Sequence, residues 1–244
     1  QYEGGLKYLH EGKKLVGRAV TCTFMPTRPD LYSVVKEKGD QNGWEGTCNQ
    51  WVVDNLVEGD VVVADMFDKV FNGTFAGGNL TTAINVRTKT GGAVIWGGVR
   101  DIEQMSKIDT QVYFRGIHPT PIRECVMTGY NMACRIGEAV CLPGDVVMGT
   151  PSGVLFIPSF CVAEVINSAE KTHAKDIFGF AMLEQGIYTT AEIDNSVWST
   201  EMLDRMEAFI QADERCKTYR TLDWTLEREA AKGEPEALKE ILRY

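Results

Sequence analysis

Two apolar runs place the strongest limits on how this chain can fold. Residues 61–64 (VVVA) are followed by Asp65, and residues 93–96 (AVIW) are followed by Gly97 and Gly98. Neither run alternates with polar residues, which is typical of strands buried on both faces. Between them, residues 80–88 carry apolar side chains at helical spacing. We therefore predict a mixed α/β domain with these two strands in its core.

The remaining pattern divides the chain into two parts. A polar loop is predicted at 72–78 and a turn at 26–30, because both are rich in turn-forming residues. We predict an α/β domain over residues 1–185 and a helical C-terminal arm over 186–244. The other predicted strands are 15–25, 111–115, 137–142, 146–148 and 153–157, and the other predicted helices are 50–57, a short one from 101, and segments from 159, from 200 and at 224–242.

Composition excludes several classes of function. The net charge of −9 argues against a nucleic-acid surface, which requires clustered Lys and Arg. No stretch approaches the roughly 20 apolar residues of a membrane span, so we expect no membrane partner. The seven cysteines include no CxxC pair. They are typical of reduced core thiols, and we expect a cytoplasmic protein.

Side chains suited to catalysis follow the end of the second apolar run. Gly97 and Gly98 allow a tight turn and a close approach of the backbone to a bound group. Arg100 offers a planar fork for a carboxylate or a carbonyl oxygen. Asp101 offers hard oxygen ligands suited to Mg²⁺ or Mn²⁺. Together they suit a 2-oxo acid and its metal, although a surface ion pair that caps the next helix is an alternative.

A second glycine pair, Gly77 and Gly78, precedes the helix predicted from residue 80. The start of a helix exposes backbone N–H groups that bind anions, so Gly77, Gly78, Asn79 and Leu80 are candidate substrate-binding residues. The alternative is a loop in which Asn79 caps the helix. The two glycine pairs and the Arg-Asp pair together indicate a site more specifically than any one of them.

These residues resemble the RraA-like family, which includes the class II 4-hydroxy-4-methyl-2-oxoglutarate aldolases. Its signature is a glycine, about twenty residues, then Arg-Asp, two residues and an acid. Gly78, Arg100 and Asp101 match the first three positions. The resemblance covers residues 15–200, with further matches at 114–116, 143–145, 153–158, 188–189 and 192–194.

The chain departs from the family pattern at three places. Twenty-one residues separate Gly78 from Arg100, which predicts an insertion in the turn at 88–91. The expected acid is replaced by Gln104, with Glu103 beside it. Thr150 stands where many members have an aspartate.

The resemblance implies a fold, an assembly and a composite site. The fold is an α/β/β swivelling domain of the phosphohistidine-domain type, with the helical arm appended. Members assemble as homotrimeric rings, so we expect a homotrimer or hexamer with active sites between subunits. An acid from the neighbouring chain, Glu184 or Glu192, is expected to complete the site.

The function implied is that of a lyase. We expect cleavage or β-decarboxylation of a 2-oxo acid, such as 4-hydroxy-4-methyl-2-oxoglutarate or oxaloacetate, to pyruvate. Asp101 would hold Mg²⁺ or Mn²⁺, and Arg100 would stabilise the developing enolate oxygen. The alternative is a non-catalytic regulator that binds a ribonuclease. Asp101 favours the enzyme, because a binding module does not require a metal ligand.

Three more residues lie at predicted strand ends. His118 would contact substrate or be an ordinary loop histidine. Arg115 would bind the distal carboxylate of the substrate or form a structural ion pair. Asp65 would point into the pocket or belong to a turn.

Overall fold

The structure is a computed structural model that describes residues 1–242, and the chain folds into two compact units. The first unit is Gln1–Val162 and the second is Ala163–Tyr244. The division falls earlier than the boundary at residue 185 that the sequence suggested. A helix, Val162–Glu184, begins there and packs its buried residues into the core of the second unit.

The first unit is built on one large mixed sheet, in the order β1-β12-β11-β3-β4-β6-β7-β2, with β5 added to β6 and β8 to β3. Two short strands, β9 and β10, form a separate hairpin. The strands are β1 (Tyr2–Glu3), β2 (Lys7–Tyr8), β3 (Leu15–Pro26), β4 (Asp60–Asp65), β5 (Thr74–Ala76), β6 (Gly92–Val99), β7 (Gln111–Ile117), β8 (Cys125–Tyr130), β9 (Cys134–Ile136), β10 (Ala139–Cys141), β11 (Val146–Thr150) and β12 (Gly153–Ile157).

The parallel strands β3, β4, β6 and β7 form the centre of this sheet. Side chains of β4 alternate between two cores, with Val62 and Ala64 in one and Val61 and Val63 in the other. All four are fully buried. The sheet is therefore covered on both faces, which explains why this run has no polar alternation and confirms the predicted mixed α/β class.

Four helices belong to the first unit. They are α1 (Pro29–Gln41), α2 (Cys48–Asp54), α3 (Gly78–Thr88) and α4 (Ile102–Met105). The sequence predicted α2, α3 and α4 within a few residues. It missed α1, which buries only Gly39 and so has no strong apolar periodicity.

Strand β6 continues through the glycines that were expected to turn the chain. A Cβ on Gly97 would lie 2.5 Å from Met66 Cβ, and one on Gly98 would lie 3.0 Å from Val70 Cα. The glycines therefore make room for the segment 66–70, which crosses β6 at close range. The expected turn at Gly97 and Gly98 is wrong, and Arg100 and Asp101 follow directly after the strand instead.

Two other predictions are corrected. The loop predicted at 72–78 contains β5, whose three residues are too few to give a pattern. The helix predicted at 224–242 is two helices, α8 (Thr225–Ala231) and α9 (Pro235–Ile241), because Gly233 takes a positive φ of 88° between them.

The second unit is helical, as predicted for the C-terminal part. Its core is built on Phe178, with Trp198, Leu203 and Met206 packed around it. Besides α8 and α9 it contains α5 (Val162–Glu184), α6 (Thr190–Ile193) and α7 (Thr200–Ala212). No helix within residues 1–242 is long and apolar enough to cross a membrane.

The cysteines are free thiols, and six of the seven are buried. Burial raises the pKa of Cys125 to about 11 and that of Cys134 to about 12. This shift is opposite to the activation that a nucleophilic cysteine requires. Both residues therefore serve the core.

Candidate active site

Strands β5 and β6 bring the two predicted motifs together. They pair in parallel, with Ala76 opposite Val99. The pairing continues past the strand ends, where the Arg100 N–H donates to the Ala76 carbonyl at 2.9 Å. Gly77 therefore lies beside Arg100, although 22 residues separate them in the sequence.

Asp101 occupies the N-cap position of α4, but its carboxylate does not cap that helix. Its backbone is in the left-handed region, with φ 57°, which few non-glycine residues adopt. In this conformation the Asp101 carboxylate is directed toward Gly77 and Gly78. Oδ2 accepts from the Gly78 N–H at 3.4 Å and lies 3.5 Å from Arg100 Nε. The ion pair considered from the sequence is present, but the cap is not.

Gly77 is required by this arrangement. A Cβ on Gly77 would lie 2.3 Å from Asp101 Oδ2 and 2.8 Å from Arg100 Cγ. Its φ of −140° is open to any residue, so the need for glycine is spatial. A Cβ on Gly78 would meet only the Gln104 side chain, 2.4 Å from Oε1.

The first turn of α3 presents backbone donors beside the carboxylate. The first helical bond runs from the Thr81 N–H to the Gly77 carbonyl at 3.0 Å. The Gly78 N–H is directed at Asp101, while the amides of Asn79 and Leu80 have no hydrogen bond among the described residues. These two amides are the free donors for an anion. The Asn79 side chain is exposed, and Leu80 packs against the core.

Arg100 is held by a residue that the sequence did not indicate. Its Nη1 donates to Thr74 Oγ1 at 3.3 Å and to the Thr74 carbonyl at 3.5 Å. Thr74 is fully buried in β5 and donates its hydroxyl proton to the Thr120 carbonyl. The only sequence signal for Thr74 was its β-branched side chain before an aromatic residue, in a segment too short to be predicted as a strand.

A divalent cation fits this donor set only if water molecules supply most of its ligands. Within residues 1–242, no group of three or more His, Cys, Asp or Glu side chains could hold a metal. Mg²⁺, however, binds through one or two carboxylates and keeps several waters. The Asp101 side chain is 40% exposed, which leaves room for such a hydrated ion. Gln104, in place of the family's acid, adds no carboxylate.

The remaining candidates of the first unit have structural partners. Arg115 stacks on Trp96, 4.5 Å from the ring centroid, and donates to Asp68 at 2.9 Å. His118 Nδ1 lies 2.9 Å from Thr120 Oγ1. These contacts favour the structural ion pair for Arg115.

Asp65 is the last residue of β4, and its carboxylate stabilises the turn that follows by accepting from the Phe67 N–H at 2.8 Å. Burial raises the pKa of the Asp65 carboxyl, while this hydrogen bond and the charge of Arg135 offset part of the effect.

Glu184 and Glu192, the two acids expected to complete the site of a neighbouring chain, lie in the second unit and differ in their contacts. Glu192 closes a capping box on α6, where its Oε2 accepts from the Thr189 N–H and hydroxyl, both at 2.8 Å. These bonds hold the pKa of Glu192 below its usual value. The side chain of Glu184, the last residue of α5, makes no hydrogen bond or close ion pair with the described residues, although its charge helps to raise the pKa of Arg215. Glu184 is therefore the more available carboxylate.

Comparison with known proteins gives one family. The model of the RraA-like family, described as Aldolase/RraA, matches residues 1–156. The chain is 28% identical over 170 residues to protein DlpA of Legionella pneumophila, covering 68% of this chain and 25% of that protein, so it spans about a quarter of DlpA. It is 25% identical over 174 residues to protein MJ0644 of Methanocaldococcus jannaschii, covering 70% of this chain and 74% of that protein.

A solved structure supports the same fold. RraAS2 of Streptomyces coelicolor, described as an unusual member of the RNase ES inhibitor RraA protein family, aligns with a TM-score of 0.60. The alignment covers 73% of this chain and 82% of that one at 24% identity. At this identity the similarity shows the fold alone.

Proposed function

The chain belongs to the RraA-like family, and we propose that it is a divalent-metal-dependent lyase that converts a 2-oxo acid to pyruvate. The family includes both aldolases acting on 4-hydroxy-4-methyl-2-oxoglutarate or oxaloacetate and ribonuclease inhibitor proteins. One observation carries the proposal. Asp101 Oδ2 lies within 3.5 Å of both the Gly78 amide and the Arg100 guanidinium, and the Asp101 side chain is 40% exposed to solvent.

Both reactions under consideration break the C3–C4 bond, which is one carbon removed from the 2-oxo group. The electron pair passes to C3 and delocalises onto the 2-oxo oxygen, which gives the enolate of pyruvate. Protonation at C3 then completes pyruvate. In decarboxylation the other product is CO₂. In retro-aldol cleavage the 4-hydroxyl loses its proton as the bond breaks, and the other product is a second carbonyl compound. The residues required are those that stabilise negative charge on one oxygen.

The chain's own residues divide this work. Asp101 would hold Mg²⁺ or Mn²⁺, which when bound supplies Lewis-acid stabilisation of the 2-oxo group. Arg100 would donate to the developing enolate oxygen. The free amides of Asn79 and Leu80 would hold the 1-carboxylate at the positive end of α3. Gly77 would leave space for the Arg-Asp pair.

A second candidate function is a protein-binding regulator of a ribonuclease. Gln104 favours it, because the replacement of an acid removes one carboxylate from the neighbourhood of Asp101. Such a protein would require neither a metal nor turnover. Pyruvate release separates the two candidates.

The test is a coupled pyruvate-release assay with oxaloacetate and 4-hydroxy-4-methyl-2-oxoglutarate. Mg²⁺ or Mn²⁺ is added, and EDTA is the control. Because free metal ions also decarboxylate oxaloacetate, the rate without protein is subtracted for each metal. We expect release that depends on the protein and is lost with EDTA. No protein-dependent release with either substrate and either metal would contradict the lyase and favour the regulator.

A further inference from the structure

The Arg100 guanidinium has contacts with described residues at two of its three nitrogens. Nη1 faces both oxygens of Thr74, at 3.3 and 3.5 Å. Nε faces Asp101 Oδ2 at 3.5 Å. Nη2 has no hydrogen bond within residues 1–242. The arginine side chain is 23% exposed, so solvent and ligand reach only part of it.

This distribution limits what Arg100 can bind. A carboxylate bound by two nitrogens requires either Nη1 with Nη2 or Nε with Nη2. Thr74 engages Nη1 of the first pair, and Asp101 faces Nε of the second. Among contacts with the described residues, Nη2 is the nitrogen with neither a hydrogen bond nor an ion-pair contact, so it is the one most open to a ligand oxygen.

Thr74 is itself fixed in orientation. A hydroxyl has one proton, and that of Thr74 is donated to the Thr120 carbonyl, so its lone pairs are left to accept from Arg100. Thr120 is fixed in turn, because its Oγ1 accepts from the Asn72 N–H at 2.7 Å. The His118 ring lies 2.9 Å from the same oxygen. The threonine pair therefore forms a rigid support behind the arginine.

We propose that Thr74 is a positioning residue that orients Arg100 so that Nη2 alone meets the substrate, at the 2-oxo oxygen. The identity of the ligand rests on the proposed lyase function, whereas the orientation of the guanidinium does not. Arg100 then stabilises charge that develops during the reaction, and the amides of Asn79 and Leu80 bind the substrate carboxylate. Because the contact strengthens in the transition state, it acts on kcat more than on KM.

The chain offers a matched control for this proposal. Thr21 is also fully buried in a strand, and its hydroxyl donates to the Met132 carbonyl at 2.6 Å, but it has no contact with Arg100. Thr74→Val removes the hydroxyl at nearly constant volume, and Thr74→Ser restores it. Thr21→Val measures what the loss of a buried threonine hydroxyl does by itself.

Two measurements compare these variants: the kinetics of pyruvate release and the rate of chemical modification of Arg100. In the pyruvate assay, Thr74→Val should lower kcat by about tenfold or more with KM changed by less than about threefold, and Thr74→Ser should recover most of kcat. The second readout is the rate at which phenylglyoxal modifies Arg100, followed by peptide mass spectrometry. Arg123 is the internal reference, because it is exposed and unpaired within the described residues. Thr74→Val should raise the Arg100 rate severalfold, and Thr21→Val should not.

The outcomes separate this proposal from the proposed function. If the wild-type protein releases no pyruvate, the lyase fails, and the phenylglyoxal comparison still decides whether Thr74 restrains Arg100. If Thr74→Val matches Thr21→Val in both readouts, the positioning role is wrong. A rise in KM at constant kcat would show instead that Arg100 binds the substrate carboxylate.

Discussion

Asp65 is the last residue of β4 and Asp101 lies two residues after β6, yet the surroundings of the two carboxylates favour different roles. The Asp65 side chain is 14% exposed, and burial raises its pKa. The Asp101 side chain is 40% exposed and faces an amide and a guanidinium. Burial therefore disfavours the charged form of Asp65, whereas the exposed side chain of Asp101 is accessible to a cation. We assign the chemistry to Asp101 on this difference.

The raised pKa of Asp65 predicts how stability depends on pH. A carboxyl whose pKa is higher in the folded state stabilises the protein below its unfolded-state pKa, and that contribution is lost as the pH rises through the folded-state pKa. Asp65→Asn should therefore raise Tm by a few degrees at neutral pH, since Asn can still accept from Phe67. The difference should shrink as the pH is lowered toward the ordinary pKa of aspartate. A Tm difference that does not vary with pH would show that titration is not its cause.

The residues of the candidate site differ in how far they could be predicted. Arg100 and Asp101 are adjacent, and Gly77 and Gly78 form a second short motif, so both were visible in the sequence. Thr74 was not, because its contact with Arg100 spans 26 residues and its contact with Thr120 spans 46. No local pattern records such tertiary contacts.

At the scale of elements, local patterns predicted what is buried and periodic. Strand β4 and helix α3 were found because each packs into a continuous core. Strand β5 was missed because its three residues give no period, and α1 because it buries one residue. The glycines of β6 were misread because their function is to admit the segment 66–70, which lies elsewhere in the sequence.

The junction of β5 and α3 gives a prediction that distinguishes two adjacent glycines. Gly77→Ala places a methyl group against Asp101 and Arg100, so we expect turnover to fall by on the order of 10²-fold with little change in Tm. With Gly78→Ala the new methyl group lies nearest the Gln104 side chain, 2.4 Å from Oε1 and 3.2 Å from Cβ. This side chain is exposed and can move away, so activity should be largely kept. Kinetics and thermal unfolding of the two variants make the comparison. Equal losses of turnover in the two variants would show that Gly77 is not needed to make space for Arg100 and Asp101.

In the whole molecule, the Asp101 side chain of one chain is 40% exposed, and we propose that a second chain completes the site. We expect a trimer or hexamer by light scattering at assay concentration. Glu184→Gln should then lower turnover strongly, whereas Glu192→Gln, which keeps the capping box on α6, should not. A monomer with full activity would contradict the composite site. Similar losses in both variants would contradict the choice of Glu184.

Two variants at the start of α4 test whether Asp101 holds the cation on which turnover depends. Metal-dependent pyruvate release is measured for the wild type, Asp101→Ala and Glu103→Gln. Glu103 lies two residues away on α4, is exposed, and controls for the loss of a nearby negative charge. We expect Asp101→Ala to abolish release at every metal concentration while remaining folded, and Glu103→Gln to stay close to wild type. Unchanged metal-dependent release by Asp101→Ala would show that Asp101 does not hold the cation.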